Sequence, residues 1–310
     1  MDDIKEPLII LLVLFVVVGF AYGPLKKANL NKSASETTSS IGTASQNSGY
    51  SANESTGESI KSTEEDIKNL QESVAKEIDK SKRSPYYSKI RMSGISGLNQ
   101  NDPSEEYLTI FTNIGENETI KITGWYLKSE LTGYFAVIGK AALLPFPSTK
   151  TESDVILQQG DTVYLTKGFS PIGISFRTNK CTGYFEEDRT FNPSISLDCP
   201  LPKNEKLPAF SNDYDSNDEC LLLIERIPRC TTINSEFIRG LPDTVSSACK
   251  TYMTTQINYN TCVALHFSDT DFPGNEYYLY LNKFGSLWRP LHDKIDLIDE
   301  NNLIVGTISY

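Results

Sequence analysis

The chain has 310 residues, with 29 lysines and arginines against 40 aspartates and glutamates, for a formal net charge of −11. Residues 1–23 hold −2, residues 24–58 balance three cations against three anions and residues 59–83 six against six, so −9 (−11 minus −2) falls beyond residue 83. That sign excludes a nucleic-acid partner, because affinity for phosphates rests on clustered cations.

Pro7 to Gly23 (PLIILLVLFVVVGFAYG) carries no charge, and its 17 residues sit at the short end of what crosses a ~30 Å hydrocarbon core at 1.5 Å per residue. We read it as an uncleaved transmembrane anchor. A signal peptide cut after Ala21-Tyr22-Gly23 is the alternative, opposed by Pro24 at the cut and by the acidic Met1–Glu6. Lys26 and Lys27 favour a cytoplasmic C-terminus. The six cysteines, all at or beyond residue 181, favour an oxidising compartment, and on that ground the globular part is placed outside the membrane.

Residues 24–59 are expected to form a disordered linker, since positions 31–58 include twelve serines and threonines and little that burial could stabilise. An amphipathic helix is predicted over 60–83. Ile60, Ile67, Leu70, Val74 and Ile78 share one face, Ser62 and Glu65 form a capping box, and Ser84-Pro85 ends the run. Its stripe serves either a short self-associating coiled coil, which would make the chain a weak homo-oligomer, or a stalk packed on the domain behind it.

Short runs within 86–310 alternate with the period of two that a pleated strand imposes, interrupted over 168–275. Strands are predicted over 86–95, 107–113, 119–127, 134–138, 155–157, 162–166, 277–281, 294–298 and 303–308. Residues 105–127 are expected to be a hairpin turning at Asn113, Gly115 and Asn117, with Trp125 as its packing anchor. The interval 168–275 reads as an insertion holding all six cysteines, eight prolines and two helices, 218–226 and 243–256. Short strands at this spacing indicate an antiparallel β-sandwich.

Several of these runs resemble the lamin tail domain: Glu106-Tyr107-Leu108-Thr109-Ile110 with Asn113-Ile114-Gly115, Thr123-Gly124-Trp125-Tyr126-Leu127, Leu157 to Leu165, and Lys294 to Tyr310. The resemblance covers about residues 86–166 and 276–310. Thr109, where an acidic residue is usual, and Asn301-Asn302-Leu303, in place of an Asn-Gly turn, depart from the pattern. The stretch Ser170 to Phe185 is similar to an insertion in membrane-anchored bacterial members of that family. The resemblance implies an immunoglobulin-like fold and an envelope-facing binding or scaffold domain, with no ligand or chemistry attached.

Cys181, Cys199, Cys220, Cys230, Cys249 and Cys262 are nowhere closer than ten residues apart, which argues against a zinc cluster and for disulfides. Of fifteen connectivities the sequential set is favoured: Cys181 with Cys199, Cys220 with Cys230, Cys249 with Cys262. No cofactor or metal is expected. Asp213-Tyr214-Asp215-Ser216-Asn217 imitates the opening of a calcium loop, yet Asp218 and Ile224 occupy positions where an EF-hand requires glycine and glutamate. His266 and His292 stand near no nucleophile motif, so no enzyme is expected. Arg177, Lys180 and Tyr184 are the candidate ligand-binding residues, cations and a ring concentrated at one loop of an acidic domain. The function expected is a membrane-anchored, extracytoplasmic, non-catalytic binding or adhesion module for a protein or envelope polymer. A self-associating envelope scaffold and a hydrolase are the alternatives.

Overall fold

The computed structural model describes residues 55–98, 102–145, 151–285 and 287–310, of which residues 55–64 and 103 by backbone alone. The expected anchor at 7–23 and nearly all of the expected linker lie outside these residues. Within them, no helix is long and apolar enough to cross a membrane.

Helix α1, Ser55–Ser81, starts earlier than the capping box indicates, so Ser62 and Glu65 fall inside it. It ends without a connecting loop. Ser84 N–H donates to Ile304 O and Ile304 N–H to Lys82 O, both at 2.8 Å, and Arg83 pairs in parallel with Ile304. Ile67, Leu70, Val74 and Ile78 are exposed, so the stripe is not packed on the domain behind it.

Among the described residues eleven strands follow: β1 Ile90–Ser96, β2 Tyr107–Thr112, β3 Ile120–Lys121, β4 Tyr126–Ser129, β5 Phe135–Val137, β6 Ile156–Leu157, β7 Thr162–Thr166, β8 Phe176–Asn179, β9 Pro273–Tyr280, β10 Lys294–Ile298 and β11 Ile304–Ser309. They form a five-stranded sheet in the order β1-β2-β7-β9-β8, a four-stranded sheet β11-β10-β4-β5 and a small pair β3-β6. Inward-facing residues of both larger sheets, among them Leu108, Val163 and Leu279 on one side and Leu127, Ile295 and Val305 on the other, share one hydrophobic core. Several mainly antiparallel sheets about a common core are compatible with a β-sandwich.

Three expectations change here. The hairpin of 105–127 does not form, because β2 pairs with β1 and β7 while β4 pairs with β5 and β10 in the other sheet. Residues 113–125 therefore carry the chain from one sheet to the other, with Gly124 at φ 93° in the crossing, where a side chain would strain the backbone. Nor are the sheets wholly antiparallel: β7 and β9 run parallel, their connection being the entire insertion. The insertion also supplies β8, a strand that local composition did not reveal. Trp125, in contrast, is the anchor its position indicates, with 0 % exposure and the Tyr86 ring 5.3 Å away.

One buried ion pair fastens the end of β7 beside the start of β2. Lys167 Nζ lies 2.6 Å from Glu106 Oε2, and the Trp288 indole donates to the same oxygen at 3.0 Å. A buried pair requires such an additional hydrogen bond to offset desolvation.

The insertion has its own helices: α2 Tyr214–Glu225, α3 Ser235–Arg239, α4 Ser247–Gln256 and α5 Tyr259–His266. Asp213 caps α2 by accepting from Ser216 N–H, and these hydrogen bonds lower its pKa. The sequence that imitated a calcium loop is a helix start.

All six cysteines are paired, but not in sequential order: Cys181–Cys262, Cys199–Cys230 and Cys220–Cys249, with Cα separations of 5.9, 5.3 and 5.9 Å. The cores explain the connectivity. Cys181, Cys199, Cys230 and Cys262 belong to an aromatic cluster built on β8 and β9, whereas Cys220 and Cys249 face each other within the cluster of α2 and α4. Sequential pairing would have joined Cys220 to Cys230 and Cys249 to Cys262 across two separate cores.

Candidate functional site

The loop that follows β8 brings together residues distant in sequence. Phe176 on β8 stacks against Tyr278 on β9 at 5.3 Å and 5° between planes, and the Phe185 and Phe191 rings close on it edge-on. This packing, with the Cys181–Cys262 bond, fixes the loop against the start of α5.

The three residues expected to bind ligand do not converge. Arg177 donates through Nε to Gly274 O at 2.8 Å, lies 3.5 Å from the buried Asp161 carboxylate and sits over the Tyr277 ring. Tyr184 is 9 % exposed; burial, with the nearby Glu187 and Glu205 charges, pushes its phenol up to about 12. Tyr184 lines a small pocket with Pro200, Pro202 and Tyr252, and Lys180 lines a separate, roomier groove.

Lys180 belongs to a chain of charges. Its Nζ is 2.5 Å from Asp271 Oδ1 and 2.9 Å from Asp269 Oδ2, bonds that raise the lysine pKa. Asp269 Oδ2 also meets His266 Nδ1 at 2.8 Å, while His266 Nε2 meets Glu205 Oε1 at 2.9 Å. Burial works to lower the imidazole pKa, but the two carboxylates outweigh it and the net direction is upward. Both ring nitrogens are engaged by carboxylates, so neither faces a hydroxyl or thiol that it could deprotonate as a general base. His292 is exposed, at positive φ. No cluster of three or more His, Cys, Asp or Glu side chains suited to a metal exists among the described residues.

The groove beside Lys180 has a volume of about 290 Å³ and is lined by Thr178, Asn179, Lys180, Asp198, Asp271, Asn275 and Glu276, among others. Several of these groups already have partners. Asn179 Oδ1 accepts from Cys181 N–H at 2.8 Å, and Glu276 accepts from the Tyr164 hydroxyl at 3.0 Å. A carboxylate has about four lone-pair sites, so Asp198, Asp271 and Glu276 keep acceptor capacity toward the opening. The groove is rich in acceptors around one neutralised ammonium. The sequence marks Lys180 and not these partners, because Asp198 lies 18 residues further on and Asp271 and Asn275 lie 91 and 95 residues further on, and only the fold brings them to it.

No protein-family model, curated protein or solved structure matches the chain. Fold and site together define a disulfide-bonded protein of several mainly antiparallel sheets and about as much helix, its open polar groove placed where insertion and sheet meet.

Proposed function

We propose that the chain is a membrane-anchored, extracytoplasmic binding module, a lamin-tail-like immunoglobulin sandwich whose insertion grips a hydroxyl-rich envelope polymer. The reading rests chiefly on the groove at Lys180. Its walls come from β8, the loop before β9 and the segment around Asp198, and the nearby Cys181–Cys262 and Cys199–Cys230 bonds hold these segments. Such a site is organised before the ligand arrives, which lowers the entropic cost of binding. With Lys180 neutralised by two aspartates, the remaining chemistry is hydrogen-bond acceptance, which suits hydroxyl groups and disfavours phosphates or other anions.

Pull-down of envelope polysaccharide by the full chain tests this. An Asp198→Ala, Asp271→Ala and Asn275→Ala triple variant is expected to lose retention while keeping the parent's melting temperature. Unchanged retention would remove the groove from the proposal. Retention abolished by moderate salt in the parent would point instead to a cationic protein partner.

A further inference from the structure

Three connections meet at one end of the two larger sheets. Strands β7 and β9 run parallel and finish side by side, Thr166 opposite Tyr280, and β10 begins where β4 ends, Ile295 opposite Ser129. Lys283 N–H donates to Lys167 O at 2.9 Å and the Thr132 hydroxyl to Leu287 O at 3.2 Å, which joins the turns 130–134, 167–173 and 281–293 into one surface. The chain from α1 enters at the other end, where Ser84 bonds to Ile304 at the start of β11.

That surface is unusually apolar for one facing water. Phe284 is 81 % exposed, and Leu131, Tyr134, Phe135, Phe169 and Leu291 are between 40 and 64 % exposed. The Phe169 and Phe284 rings touch, their centroids 4.2 Å apart, and an open trough of about 470 Å³ lies between Tyr134, Phe135 and the segment of Lys283, Gly285 and Leu287. A contiguous exposed apolar patch marks an interaction site. The free charges of the three turns are positive. Lys283 and Arg289 are exposed and have no ion-pair partner among the described residues. The acids are already engaged: Glu130 pairs with Lys128 at 3.1 Å, and the buried Asp293 accepts from the Ser129 hydroxyl and from the Arg289 and Lys294 N–H groups. Asp102 and Glu105 belong to the β1–β2 connection at the far edge of the five-stranded sheet, outside the three turns.

The chemistry separates the partners that could cover this surface. A sugar requires fixed hydrogen-bonding groups, and the one side-chain amide of the three turns, Asn282, already donates to Tyr280 O. A folded protein partner has a fixed shape and suits a groove or a flat face, whereas these side chains stand on separate turn tips. A fluid partner conforms to separate tips, and a bilayer offers acyl chains to the rings and phosphates to the cations. We propose that this end of the molecule docks on a lipid bilayer bearing anionic headgroups, with Phe169 and Phe284 entering the acyl boundary and Lys283 and Arg289 held against headgroup phosphates. A few side chains and two cations grip a bilayer reversibly. The contact is distinct from the anchor expected at 7–23, and it makes no use of the groove at Lys180.

The test uses the full chain carrying Gly285→Cys, a position open to solvent, labelled with an environment-sensitive dye while the native cysteines stay paired. It is combined with vesicles of phosphatidylcholine and phosphatidylglycerol. Nitroxide lipids are placed either in the vesicles that carry the chain or in a second population added afterwards. Quenching by the first assigns the tip to its own bilayer and quenching by the second to a facing one, and either supports the proposal. Phe169→Ser with Phe284→Ser is expected to lower the ratio of quenched to unquenched dye at least about tenfold. Lys283→Glu with Arg289→Glu should lower it at low salt, and both double variants should keep the parent's melting temperature. Leu222→Ser, at an exposed leucine of α2, should leave the ratio unchanged. Absence of quenching by either population overturns the proposal. So does an equal loss in Leu222→Ser, which would show general adhesiveness, or a dye response that follows chain density without nitroxide, which would give the surface to a second copy. A chain that remains in the aqueous phase until it meets vesicles through the tip counts against the anchor alone.

Discussion

Two single residues show how differently the two halves of the molecule are held. Trp125 is fully buried where the chain crosses between sheets, and its indole donates to Glu300, so it joins apolar packing to the turn between β10 and β11. Truncating it leaves a large cavity among residues that cannot all collapse: Trp125→Ala is expected to cost about 3 to 5 kcal/mol, lowering the melting temperature by roughly 10 °C in a domain of this size. A differential scan of the variant with its midpoint unmoved would show that Trp125 is no anchor. His266, in the insertion, works by charge. Its folded pKa lies above 6.5 because Glu205 and Asp269 together outweigh burial, and Lys180 with Asp271 completes the group around Asp269. A raised pKa means that the stabilisation is fully present below pH 6.5 and is lost as pH rises through the folded value. We therefore expect the thermal midpoint to fall as the pH rises from 6.5 through the raised folded value, and the His266→Gln variant to flatten that slope. An identical slope in the variant would assign the effect elsewhere.

At the scale of elements, what the sequence reveals is set by how local the cause is. Strand β7 is read to the residue because Thr162–Thr166 alternates cleanly and is bounded by Gly160 and Asp161. The β10–β11 hairpin is legible for the same reason, since Asp299 accepts from the Asn301 and Leu303 N–H groups within its own turn. Pairing is another matter. β2 is correctly seen as extended, whereas the strand predicted over 119–127 merges β3 with the first two residues of β4; the partners of β2 and β4 are chosen by two sheets competing for one core, and nothing between Asn113 and Trp125 distinguishes a hairpin from a crossing between sheets. β8 is hidden because its partner β9 begins 94 residues after its own end, Pro273 against Asn179. The candidate site divides along the same line. Lys180 stands out locally as a cation among aromatics, while the aspartates that neutralise it, Asp269 and Asp271, reach it only through the fold of the insertion.

For the whole molecule, the three disulfides bear on where the protein works. An oxidising compartment outside the cytoplasm is the environment in which such bonds form and persist, and the insertion has reason to need them: most of its length is short helices and irregular chain, divided between two small cores. In the chain-entropy account, the Cys181–Cys262 bond, spanning 81 residues, contributes about 4.5 kcal/mol, and the Cys220–Cys249 bond, spanning 29, about 3.5 kcal/mol. Chain isolated from its native host and alkylated without reductant is therefore expected to take up no label at cysteine. Non-reducing peptide mapping should yield Cys181 with Cys262, Cys199 with Cys230 and Cys220 with Cys249. Recovery of Cys220 with Cys230 would mean that local closure prevails over the division into two cores. Six labelled thiols would place the domain in a reducing compartment and take the extracytoplasmic reading with it, whereas reduction of a correctly bonded chain should unfold the insertion first and leave Trp125 buried between the sheets.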